Sequence, residues 1–131
     1  MVVPVPLHWR RRYQRGFNQA DLLARLVARQ RRIPSSIVLR RTRATLSQAG
    51  LSHAGRRRNM SGAFACRRPG LVKGRRVLLI DDVMTTGSTA AACALALKRA
   101  GASRVVFLTV ARVDRRFAAP ETTYSNLGGA V

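Results

Sequence analysis

VLLIDDVMTTGST, residues Val77 to Thr89, joins a fully apolar run to two adjacent carboxylates and then to a small, hydroxyl-rich turn. Val77, Leu78, Leu79 and Ile80 read as a strand buried on both faces, the pattern of a parallel sheet covered by helices. Asp81 and Asp82 are then expected where that strand leaves the sheet. Thr85, Thr86, Gly87, Ser88 and Thr89 supply hydroxyls and backbone N–H groups just ahead of a helix expected over Thr89 to Ala100. A helix N-terminus presents free donors and a positive dipole end, so such a turn can hold a phosphate. The carboxylates repel phosphate themselves. Beside a phosphate cradle they suit another task, accepting hydrogen bonds from sugar hydroxyls or holding water around a magnesium ion. The stretch therefore has the chemistry of a site for a phosphorylated sugar.

Downstream, Gly101 is a good C-terminal cap for the helix, and VVFLTVA, Val105 to Ala111, reads as a second continuous buried strand. A strand, helix, strand unit with a right-handed crossover thus brackets the turn. Upstream, Val2 to Val5 reads as a first strand, followed by the basic loop LHWRRRYQRGFN. A helix is expected from near Asn18, with Asn18 and Asp21 as an approximate capping pair and Ala20, Leu23, Ala24 and Val27 at helical spacing. It should stop before Pro34, which disfavours helical geometry at Ile33. Ile37 to Leu39 is a short second strand by its β-branched content. A long connection rich in Arg, Ser, Thr and Gln runs from Arg40 to Asn59, and a further short extended stretch begins at Gly62 to Phe64. Long connections in compact domains serve as lids or binding loops, though a basic helix or an unstructured stretch would have the same composition. One domain over 1–131 is expected, with 113–131 as a tail without a strong pattern.

Composition narrows the function classes. A hydrophobic fraction of 47% supports a packed core rather than disorder. No apolar run approaches the ~20 residues that span a bilayer, and the N-terminus does not read as a signal peptide, so a cytoplasmic protein with no membrane partner is expected. Cys66 and Cys93 are isolated, and His8 and His53 lack ligand spacing, which argues against zinc held by this sequence alone. Cys93 falls within the expected helix after the turn and reads as a small buried side chain. The formal net charge is +20, carried almost wholly by arginine, since Lys73 and Lys98 are the only lysines. Such a balance suits an anionic substrate, nucleic acid or an acidic partner, or reflects only a solvated surface.

Only five residues are acidic, and two of them stand together directly after a buried strand. Adjacent carboxylates repel unless a cation or donors compensate, which favours a functional pair over solvated acids. A nucleotide-binding reading fails for want of a Gly-Lys-Ser/Thr loop. A receiver-type acidic pair would follow the first strand, which here ends in Pro6. In the loop after that strand, Arg10, Arg11, Arg12 and Arg15 surround Trp9, Tyr13 and Phe17. Forked arginine donors match phosphate, and the same interleaving with aromatics occurs where single-stranded nucleic acid stacks. A surface loop whose aromatics cover a helix is the plain alternative.

All thirteen positions of Val77 to Thr89 resemble the phosphoribosyl pyrophosphate (PRPP) signature of type I phosphoribosyltransferases. VPVP at Val3 to Pro6, RGFNQA at Arg15 to Ala20, Thr45 with Gln48, and RRNMSGAF at Arg57 to Phe64 further resemble the ComF family. The resemblance covers roughly Val3 to Arg112. It implies an α/β fold with a mostly parallel four- or five-stranded sheet flanked by helices, PRPP and pyrophosphate as ligands, and Mg2+ as cofactor. Carried over by position, Asp81 and Asp82 contact the ribose hydroxyls and hold magnesium indirectly, through water and PRPP. Thr85, Thr86, Gly87, Ser88 and Thr89 bind the 5′-phosphate, Val83 and Met84 join them as binding residues, and Arg12 or Arg15 meets pyrophosphate, Arg15 with a catalytic role. The connection from Arg40 to Asn59 corresponds to the mobile catalytic loop. ComF relatives carry a four-cysteine zinc module and a covering segment ahead of the VPVP strand, whereas this sequence opens at that strand, so a chain without the module is expected.

Two functions follow as expectations. The first is transfer of phosphoribosyl to a nitrogen nucleophile, with release of pyrophosphate. The second is a non-catalytic PRPP-fold factor associated with nucleic acid, since ComF relatives are connected with competence for DNA uptake and the charge suits phosphates. The accepting base or amine, turnover itself and assembly into a homo-oligomer are all left open by the residues.

Overall fold

The run at Val77 forms the middle of a parallel sheet. The computed structural model describes residues 1–7, 16–42 and 62–113. The elements are β1 (Val2–Pro4), α1 (Gln19–Arg31), β2 (Leu39–Arg41), β3 (Phe64–Cys66), α2 (Pro69–Val72), β4 (Arg76–Met84), α3 (Ser88–Arg99) and β5 (Arg104–Arg112). One sheet has the order β1-β4-β5, all parallel, and β2 pairs with β3 in a separate antiparallel ribbon. The described strands number five, three of them parallel. The chain also crosses beside β1 at Ser35, where the Val2 N–H donates to Pro34 O at 2.8 Å and the Ser36 N–H to Val2 O at 3.1 Å.

Alternation along the strands sorts side chains to two layers. Val3, Val5, Val77 and Leu79 face α3 and the β2–β3 ribbon in the larger core, with Leu39, Phe64, Cys93 and Leu97. Val2 and Ile80 face α1, where Ala24 and Ala28 let the helix backbone approach closely. The helices thus lie on opposite faces, as expected for crossover connections running to opposite sides of β1 and β4.

Local chemistry fixes the ends. Asn18 caps α1 by accepting the Ala20 N–H at 3.2 Å, and its amide donates to Val5 O at 3.0 Å, which ties the helix start to the end of β1. The helix ends at Arg31, with Arg32 in the left-handed region at φ 52° and the Ile33 N–H closing on Ala28 O. It stops before Pro34, as the sequence requires.

Three expectations need correction. The second strand lies at Leu39–Arg41 rather than Ile37 to Leu39, and Ile37 is exposed. β4 does not stop at Ile80, because pairing with β5 continues through Asp81↔Thr109 to Met84↔Arg112. The acids therefore lie within the strand, in its carboxyl-terminal half. Finally, β5 ends the sheet among the described residues, and its residues alternate between half-buried and exposed instead of being buried on both faces.

Candidate functional site

β4 delivers the acid pair and α3 delivers the turn. Asp81 and the residues from Val83 through Ala90, with Phe107 of β5, line one small pocket of about 30 Å³ at the carboxyl end of the sheet. Ligands of open parallel sheets bind at this end. All the signature residues from Val83 to Thr89 that the sequence nominates for binding, including Thr85 to Thr89 for a phosphate, thus come together beside Asp81.

The turn is shaped by Gly87, the N-cap of α3, which sits at φ 74° and ψ 0°. A side chain is strained there, so glycine is the residue that lets the chain enter the helix at this angle. No side chain caps this helix. Thr86 and Ser88 hydroxyls lie 3.0 Å apart, and the Ser88 N–H reaches Thr86 Oγ1 at 3.4 Å, so hydroxyl and amide donors share one concavity. A 12-residue helix directs its dipole into that concavity. The arrangement can hold an anion of phosphate size.

The acids are half-buried and touch. The Asp82 N–H donates to Asp81 Oδ1 at 3.0 Å. Burial, and then a hydrogen bond between the Asp81 and Asp82 carboxyls, push Asp81 up to about 7; the charge of Asp82 adds to this and its N–H works against it. Such a pair shares a proton readily and is relieved by a cation or by hydroxyl donors. Thr109 fixes the neighbouring backbone, with its hydroxyl within reach of Asp82 O at 3.2 Å and Ala111 O at 3.0 Å.

Two neighbours were not singled out by sequence reasoning. Arg41, the last residue of β2, stacks its guanidinium 5.5 Å from the Phe64 ring centroid. Its charge and that of Asp81 both act on the thiol of Cys93: burial, then Asp81, push that thiol far up, and Arg41 pulls it down. Arg41 of β2 and Asp81 of β4 thus act electrostatically, and in opposite senses, on one buried residue of α3. Nothing local in the sequence signals this, because Arg41 and Cys93 stand 52 positions apart. Thr109 could have been found, as the one polar residue in VVFLTVA. Cys93 is buried, as its helical position implied. Arg12 and Arg15, the loop from Arg43 to Ser61 and the tail from Asp114 lie outside the described residues.

Residues 15–127 match the family model described as phosphoribosyl transferase domain. The chain belongs to that family. Among curated proteins it is 46% identical over 105 residues to the DNA utilization protein YhgH of Escherichia coli strain K12, covering 79% of this chain and 45% of that protein. It is 38% identical over 116 residues to competence protein F of Haemophilus influenzae, covering 85% of this chain and 49% of that protein. These relatives support the ComF branch of the type I phosphoribosyltransferase fold. The chain spans about half the length of the curated relatives it matches. Among solved structures, glutamine PRPP amidotransferase from B. subtilis, complexed with ADP and GMP, superposes with a TM-score of 0.53 at 24% identity, over 82% of this chain and 21% of that one. That likeness is one of fold.

Proposed function

We propose that this chain binds PRPP with magnesium at the carboxyl end of β4 and transfers its phosphoribosyl group to a nitrogen nucleophile, releasing pyrophosphate. One observation carries the reading: Asp81 and the whole hydroxyl-rich turn line a single pocket at a helix N-terminus. On this reading the turn from Val83 to Thr89 takes the 5′-phosphate and Asp81 with Asp82 takes the ribose hydroxyls. Arg12 and Arg15 take the pyrophosphate. The carboxyl pair fits a cation, since burial and the neighbouring Asp82 carboxyl push Asp81 up to about 7 and a positive charge would favour its ionised form. No three His, Cys, Asp or Glu side chains cluster among the described residues, so the pair would hold magnesium mainly through water and PRPP. Bound there, the ion supplies charge neutralisation to the departing pyrophosphate. The chain's own work is positioning, because a displacement at the ribose C1 needs little protein acid or base.

A second reading, a nucleic-acid-associated factor that keeps the sugar-phosphate site, is favoured by the net charge of +20 and by relatives named for DNA utilization and competence. The two part experimentally. Pyrophosphate release from PRPP with magnesium, in the presence of candidate bases and amines, supports the transferase. No release, together with duplex DNA affinity that falls by about 0.9 log units per log unit of salt for each phosphate contact, supports the binding factor. No described helix is long and apolar enough to cross a membrane, and the cytoplasm is the compartment that suits either reading.

A further inference from the structure

Among the described residues, α1 covers two of the three parallel strands and leaves the third bare. Even-numbered residues of β5 share one face, which reads Arg104, Val106, Leu108, Val110, Arg112. Register puts Val106 beside Leu78 and Leu108 beside Ile80, so the stripe lies on the same face as the core under α1. Yet Val106, Leu108 and Val110 are 47%, 45% and 72% exposed, while Ile80 is 1% exposed. The cause is width. Strand axes lie about 4.8 Å apart and a helix with its side chains is about 10 Å across, so one helix over β1 and β4 cannot reach β5. On the other face Val105 and Phe107 pack against the larger core, so the bare surface is confined to the side of α1.

We propose that this trough docks an amphipathic α-helix of acidic character from a partner protein. Its floor is Val106, Leu108 and Val110, and its inner wall is the cluster in which Leu23 and Val27 pack with Leu78. Nine strand residues span about 30 Å, the length of a helix of about 20 residues. Charge selects the occupant: exposed arginines bracket the stripe at Arg104 and Arg112, Arg76 stands beside Arg104, and the whole chain carries +20. A second copy would bring the same arginines against these. A helix with leucines on one face and glutamates along its flanks meets both the apolar floor and its basic ends.

The test uses a fluorescein-labelled helical peptide of about 18 residues with that pattern, titrated with the full chain at physiological salt and read by anisotropy. Wild type is expected to bind at about micromolar Kd. Val106→Asn with Leu108→Asn, which leaves the charge unchanged, is expected to weaken binding at least tenfold, about 1.4 kcal/mol. If that pair lowers the melting temperature, Val110→Asn, at the most exposed position, should still weaken binding about threefold with melting unchanged. Equal affinity for wild type and both apolar variants would reduce the contact to non-specific charge and overturn the proposal. So would absence of binding, or sedimentation showing a dimer that the Asn pair dissociates, which would make a second copy the occupant.

Discussion

Asp81 is the residue of the proposed site whose titration is most displaced by its surroundings. Its carboxyl keeps a proton up to about 7 in the folded chain, against an ordinary value of 3.8. A carboxyl raised on folding favours the native state fully at pH below its ordinary value, and that contribution is lost as pH rises through about 7. The melting temperature of the ligand-free protein should therefore carry a downward component between about pH 4 and about pH 7 that Asp81→Asn removes. An Asn variant with the same slope as wild type would contradict this assignment. Gly87 gives a second expectation at this scale. An added Cβ would meet Met84 Sδ only at 3.7 Å, so crowding is not the obstacle; the φ of 74° is. Gly87→Ala should cost about 1–2 kcal/mol in urea unfolding, and an unchanged midpoint would show that the turn is not held in this conformation. Both residues were legible as chemistry, because acids after an apolar strand and glycine before a helix are local signals. That the two acids lie inside the strand, with the Asp82 N–H on the Asp81 carboxylate, was not legible, since it depends on how far β5 pairs along β4.

The elements were read well where the signal is local and less well where neighbours decide. α1 and α3 follow from spacing, capping residues and stop residues in their own sequences. β5 did not: an apolar run shows that a strand is in a sheet, but the number of layers covering it depends on the reach of α1. The displacement of β2 has a similar cause, since Leu39–Arg41 is fixed by its register with Phe64–Cys66 rather than by the β-branched Ile37. The two cysteines test the packing of these elements. Cys93 of α3 is fully buried and its thiol is pushed up, whereas Cys66 of β3 is only half-buried. One thiol per chain should react with a disulfide reagent in the native protein and two in denaturant. Rapid reaction of both in native conditions would mean that α3 does not seal against the sheet as described.

At the scale of the molecule, a basic chain places two of its few acids together at the carboxyl end of a parallel sheet, next to a helix N-terminus. The family, the fold and the place of the pocket support the proposed anionic sugar ligand, while the excess of arginine goes beyond what one small substrate needs. Much of that arginine is legible only as charge, because which residues face one another across the surface is set by the whole fold. The central claim is that Asp81, Asp82 and the following turn form a PRPP site. Titration calorimetry with PRPP in the presence of magnesium measures it directly. Wild type should bind, and Asp81→Asn with Asp82→Asn should weaken binding at least tenfold, about 1.4 kcal/mol; no heat of binding from a folded wild-type sample, or an unchanged Kd in the double variant, would contradict it.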